Sequence, residues 1–146
     1  MSPANFPNPS KRAIVSLGSN IEPRGDYLKR ALAALAALPG TRLVKASSVI
    51  ETEPVEVPSE FVALKFLNQV AIFETTLEAF DFSRRMHAIE DDLGRVRTVR
   101  NGPRTIDLDL IDFGGQVITT PELTLPHPRA KSRDFVLQPL AELVES

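Results

Sequence analysis

Residues 106–110 read Ile-Asp-Leu-Asp-Leu, and that strict alternation fixes the kind of surface the segment must join. At a period of two, a strand sends Ile106, Leu108 and Leu110 to one face and Asp107 and Asp109 to the other. A fold that accepts it must offer a sheet with one covered face and one open face. Side by side on the open face, the carboxylates repel each other, so arginine or a bound cation has to compensate them. Four arginines, Arg95, Arg97, Arg100 and Arg104, precede the strand directly. Asn101-Gly102-Pro103 forms a turn that aims Arg104 at the strand's start. Hard carboxylate oxygens suit Mg²⁺ carried on a nucleotide's phosphates. A planar guanidinium offers two parallel donors to the phosphate oxygens themselves. The bland alternative is a solvated acidic strand whose exposed ion pairs are worth roughly 0–1 kcal/mol each.

The remaining apolar runs say what sheet this strand joins. Residues 13–17 (AIVSL) form a short central strand, and Gly18-Ser19-Asn20 supplies turn chemistry after it. A helix follows, with Asp26 as N-cap and Leu28, Leu32 and Leu35 at helical spacing, and Pro39-Gly40 stops it. Residues 43–52 read as one strand, residues 53–66 as a long connection, and residues 67–74 as a strand buried on both sides. Asn68 near that strand's start needs a partner, either backbone or ligand. Thr75-Thr76-Leu77-Glu78 resembles a capping box before a helix carrying Phe82, Met86, Ile89 and Leu93, with Gly94 after it. His87 and Glu90 flank that apolar stripe, where a solvated helix edge is the plain expectation. After the acidic strand, Gly114-Gly115 breaks the chain and residues 116–119 return as a hairpin arm. Residues 123–127 are irregular, and a last helix runs through Leu137, Leu140 and Leu143.

The order strand, helix, strand, strand, helix, strand predicts an α+β, ferredoxin-like βαββαβ fold. It has a four-stranded antiparallel sheet with both helices on one face, plus a C-terminal helix and a small hairpin. Residues 1–10 read as a loose tail and residues 11–146 as a single domain. Net charge is −2 over 146 residues, which disfavours general nucleic-acid binding through a basic surface. There is no cysteine, so disulfides and thiolate metal sites are excluded. No apolar run approaches the roughly 20 residues of a membrane span, so the expectation is a soluble, cytoplasmic monomer that engages no membrane.

Four segments carry a resemblance: VSLGSN (15–20), GPRTIDLDLIDF (102–113), LTLPHPR (123–129) and RDFVLQPLAEL (133–143). Together they make the chain, from about residue 14 to 143, resemble the 6-hydroxymethyl-7,8-dihydropterin pyrophosphokinase family of folate synthesis. The resemblance implies transfer of pyrophosphate from ATP to the hydroxymethyl group of the dihydropterin, releasing AMP. It implies that Asp107 and Asp109 hold two Mg²⁺ ions and that Arg95 and Arg97 reach the triphosphate. On the nucleotide side it places His87, Glu90, Arg104, Leu110, Thr124, His127 and Arg133. On the pterin side it places Thr52, Pro54, Val55, Phe66, Asn68 and Phe135. His87 stands where many members have glutamine, and Asn101 where many have tryptophan. A regulatory small-molecule-binding domain is disfavoured by the acidic pair with its arginine loop, and the residues alone leave two further rivals. One is a ferredoxin-like RNA-binding module, which would need aromatics on the central strands. The other is a different metal-dependent nucleotidyl transferase using the same acidic pair.

Overall fold

The computed structural model of the chain describes residues 10–19, 23–52, 66–93 and 106–127. In chain order the elements are β1 (Lys11–Ser19), α1 (Arg24–Ala36), β2 (Thr41–Ala46), β3 (Ile50–Thr52), β4 (Phe66–Thr75), α2 (Ala79–Asp92), β5 (Asp107–Phe113), β6 (Ile118–Thr119) and β7 (Thr124–Leu125). The main sheet runs β2-β4-β1-β5, every pair antiparallel, with β3 continuing beside β4. This is the ferredoxin-like α+β arrangement, with β5 at one edge.

Period-two patterning decides which side the helices cover. Ala13, Val15 and Leu17 of β1, Ala71 and Phe73 of β4, and Leu108 and Leu110 of β5 share one core with Leu28, Ala31 and Leu35 of α1 and Phe82, Met86 and Ile89 of α2. Phe82 bridges the layers, with ring centroids 6.5 Å from Phe73 and 5.8 Å from Phe113. Each such side chain, fully buried, contributes about 1.5–3 kcal/mol. Phe113 reaches that core three residues after Leu110, which unbroken alternation forbids. The pairing register explains it: Val15 faces Leu110 while Ile14 faces Asp112, so Ile111 is an extra, bulged residue. The bulge turns Phe113 inward and Asp112 outward, where its carboxylate accepts the Gly115 N–H at 3.2 Å.

Several local expectations need correction. The strand expected over residues 43–52 is two strands. Ser47 interrupts it: its N–H donates to the Val70 carbonyl at 2.8 Å, and its hydroxyl accepts the Val70 N–H at 3.0 Å. Gly18 and Ser19 lie inside β1 rather than in a turn after it. The N-cap of α1 is Pro23, whose carbonyl accepts the Tyr27 N–H at 3.1 Å. Asp26 instead sits in the first turn and pairs with Arg30 at 2.8 Å. The capping box does not form, and α2 starts after Glu78 without a side-chain cap. Thr75 spends its hydroxyl on Thr41, 2.7 Å away, and on the Leu77 N–H at 3.1 Å. The expected hairpin arm does not fold back on β5. Residues Ile118 and Thr119 pair with Leu125 and Thr124 in a separate ribbon, β6-β7. That ribbon buries Leu123 and Leu125 against the main core. Gly94 and the expected C-terminal helix lie outside the described residues.

Candidate active site

The register across β4, β1 and β5 sets the open face in rows. Gly18 stands opposite both Asn68 and Asp107, Ser16 opposite Val70 and Asp109, and Ile14 opposite Ile72 and Asp112. At the Ile14 end the face is apolar: Val70 and Ile72 are buried there against Ile14 and Val44. The polar end holds Asn68 on one side of Gly18 and Asp107 on the other. Gly18, which has no side chain, stands between the amide and the carboxylate. Asp107 and Asp109 are half-buried and two residues apart, so their Cα atoms stand roughly 7 Å from each other along the strand. Asn68 is 2% exposed and is not without a partner, as a polar group in a buried strand requires.

The outer edge of β5 is closed by side chains from elsewhere. Glu90 of α2 is 1% exposed, not a solvated helix edge. One of its oxygens accepts the Leu108 N–H at 2.7 Å, and the other lies 2.7 Å from His87 Nδ1. Leu108 is the residue between the two aspartates, so α2 anchors the strand at that point. Because the Leu108 N–H faces away from β1, the period of two turns the main-chain polar groups of Leu110 outward as well. Beyond the bulge, His127 donates its N–H to the Ile111 carbonyl at 2.9 Å. Its Nε2 lies 3.5 Å from Asp109 Oδ1.

Between α2, the β5 edge and the ribbon lies a cleft of about 200 Å³. Ser83, Met86 and His87 line one wall and Leu108, Asp109 and Leu110 another; Leu123, Thr124 and His127 complete it with Glu122 at the rim. Arg84 ties that rim to α2, donating to both oxygens of Glu122 at 2.8 and 3.0 Å. These hydrogen bonds hold the Glu122 carboxyl below its ordinary range and raise the Arg84 guanidinium above its own.

The structure therefore brings Asp107, Asp109, Leu110, His87, Glu90, Thr124 and His127 to one edge of the sheet. Asn68 lies two strands away on the open face. The backbones of Thr52 and Phe66 pair with each other at the β3–β4 end, two residues from Asn68. Arg95, Arg97, Arg104, Arg133, Pro54, Val55 and Phe135 lie outside the described residues. Sequence reasoning missed Ser83, Met86 and Glu122 as cleft residues. A signal was present for the first two: residues 83, 86, 87 and 90 recur at the i+3 and i+4 spacing of one helix face.

Comparison with known proteins bears on what this edge is for. A protein-family model described as 7,8-dihydro-6-hydroxymethylpterin-pyrophosphokinase (HPPK) matches residues 14–145. The chain belongs to the HPPK family. The 2-amino-4-hydroxy-6-hydroxymethyldihydropteridine pyrophosphokinase of Bacillus subtilis (strain 168) is 42% identical over 133 residues, covering 91% of this chain and 78% of that protein. An HPPK relative of the same name from Pseudomonas aeruginosa is 41% identical over 133 residues, covering 91% and 80%. Among solved structures, a crystal structure of HPPK-DHPS in complex with substrates superposes with a TM-score of 0.69 at 12% identity. This chain spans 40% of that longer chain, and at such identity the likeness supports the HPPK fold alone.

Proposed function

We propose that the chain is an ATP-dependent pyrophosphokinase that transfers pyrophosphate to the hydroxymethyl group of 6-hydroxymethyl-7,8-dihydropterin, giving AMP, as a step of folate biosynthesis. One observation carries the site assignment. The row Asn68–Gly18–Asp107 and the cleft beyond Asp109 lie in line across β4, β1 and the β5 edge. A flat acceptor held over Asn68 would present its hydroxymethyl group toward the aspartates. A nucleotide seated in the cleft would present its phosphates to the same carboxylates from the other side.

The donor set at this edge fits Mg²⁺. Among the described residues no group of three or more His, Cys, Asp or Glu side chains gathers to hold a metal. Two half-buried carboxylates are what Mg²⁺ uses when substrate phosphates and water complete its shell. Asp107 and Asp109 are the residues that would hold it, as two ions. When bound it would supply Lewis-acid stabilisation of phosphate charge.

The chain's own contribution is positioning. Phosphoryl-type transfer needs an in-line nucleophile and charge stabilisation more than covalent help. Glu90 anchors the strand at Leu108, between the two aspartates. His127 is placed to orient Asp109. Thr124 and the outward main-chain groups of Leu110 would meet the nucleoside. Arg95, Arg97, Arg104 and Arg133 would take up phosphate charge as the bond to AMP breaks. Thr52, Pro54, Val55, Phe66 and Phe135 would complete the pterin pocket around Asn68.

The RNA-binding alternative loses support, because it needs exposed aromatics on the central strands, and Phe73 of β4 is 0% exposed and packed beneath the helices. No helix among the described residues is long and apolar enough to cross a membrane. The test is direct. The chain is incubated with ATP, Mg²⁺ and 6-hydroxymethyl-7,8-dihydropterin, and the nucleotide product is identified. AMP formed in step with the dihydropterin pyrophosphate supports the assignment; ADP, or AMP formed without the pterin, refutes it.

A further inference from the structure

Ser83 is a buried polar residue of the cleft to which the pyrophosphokinase reading gives no task. It lies on α2 one turn before His87, is 2% exposed, and lines the cleft. A buried hydroxyl left without a hydrogen bond is costly, so such groups nearly always have a partner. A serine inside a helix usually finds one at the carbonyl four residues back. Among the described residues, none makes a hydrogen bond with the Ser83 hydroxyl. The polar atom is thus set into a cleft lined by apolar Met86, Leu108, Leu110 and Leu123 and by polar His87, Asp109, Thr124, His127 and, at the rim, Glu122. Apolar surface with a few placed polar groups is how a pocket holds and orients a flat ring. The volume agrees: a buried cavity of about 150 Å³ holds benzene, and this cleft, at about 200 Å³, admits a larger ring.

We propose that Ser83 is a specificity-determining residue that reads the base of the nucleotide. Its hydroxyl hydrogen-bonds one ring nitrogen or the exocyclic group on the purine edge that enters the cleft. The proposal rests on the cleft being the nucleotide site, and it adds which side chain of this chain discriminates among bases there. A serine hydroxyl can donate or accept, so it can serve whichever purine atom the backbone of Leu110 leaves unread.

The experiment uses the full chain, Mg²⁺ and a panel of nucleotides: ATP, its 1-, 3- and 7-deaza analogues, and purine riboside triphosphate, which lacks the amino group. Affinities are measured by titration calorimetry for wild type, Ser83→Ala and Ser83→Phe, alongside melting temperatures without nucleotide. Ser83→Ala is expected to weaken ATP binding roughly three- to tenfold, the worth of one neutral hydrogen bond. The loss should vanish for the one analogue lacking the bonded atom. The free Ser83→Ala protein should melt higher, by roughly 2–4 °C, because an unsatisfied buried hydroxyl has been removed. A uniform loss across the panel, no loss at all, or a lower melting temperature would overturn the assignment of Ser83. Ser83→Phe separates the two layers of the argument. If it folds and binds ATP as wild type does, the cleft is not the nucleotide site and both readings fall. If it blocks ATP while Ser83→Ala shows no analogue dependence, only the role of Ser83 falls.

Discussion

Replacing Glu90 by alanine tests how the acidic strand is held. The carboxylate is buried and serves two groups: the Leu108 N–H at 2.7 Å and His87 Nδ1 at 2.7 Å. Alanine leaves the Leu108 amide without its acceptor at an edge where no ladder partner stands, a cost of about 1–3 kcal/mol. It also removes one methylene group from contact, at about 0.8 kcal/mol. Better helix propensity and relief from burying a charge return part of this. The net expectation is a loss of about 1–3 kcal/mol, or roughly 3–10 °C in Tm for a domain of this size. Glu90→Gln keeps an acceptor for Leu108 and should cost roughly 1 kcal/mol. Urea denaturation at constant slope gives the stability difference, and amide hydrogen exchange reads the Leu108 N–H itself. In Glu90→Ala that amide should exchange much faster than its neighbours on the β1 side, and turnover should fall because the strand carrying Asp107 and Asp109 is no longer anchored to α2. If both Leu108 protection and stability stay at the wild-type level, the anchoring role is wrong.

Other outcomes follow from the same contacts. Asp107→Ala or Asp109→Ala should cost about 3–4 kcal/mol or more of transition-state stabilisation, read as a fall in kcat/KM with folding intact by circular dichroism. Gly40→Ala should destabilise by about 1–3 kcal/mol in thermal denaturation, because Gly40 has φ +61° and an added Cβ would run into the Thr76 hydroxyl. The Arg84–Glu122 tie should weaken on acidification. Glu122 is held below its ordinary range by its hydrogen bonds to Arg84, so the contribution is complete above the usual glutamate range and is lost as pH falls through the lowered folded-state value. Melting curves of wild type and Glu122→Gln should therefore differ at neutral pH and converge in acid.

Much of this was legible in the chain because the decisive strand advertises its own geometry. The run 106–110 alternates without a break, and its apolar members are buried while its acids face the open side. Even the bulge has a mark, since Leu110 and Ile111 place two apolar residues in succession where alternation would not. What stayed hidden depends on partners far along the chain. An acid on an amphipathic helix reads as solvated because unpaired charges are almost never buried. Glu90 escapes that rule through an amide 18 residues away. Ser47 ends β2 by bonding Val70, 23 residues on. The ribbon was missed for a different reason: strands of two residues, β6 and β7, carry no period to detect. Helix starts were misplaced because Asp26 and Thr75 have competing partners, Arg30 and Thr41, that local capping rules do not weigh.

The central claim is that Asp107 and Asp109 hold the metal of the nucleotide. Mn²⁺ can stand in for Mg²⁺ and be counted by electron paramagnetic resonance in the presence of a non-hydrolysable ATP analogue. The account predicts two ions bound per chain in wild type and loss of that binding in Asp107→Asn and Asp109→Asn. Two ions held undiminished by both variants would contradict it.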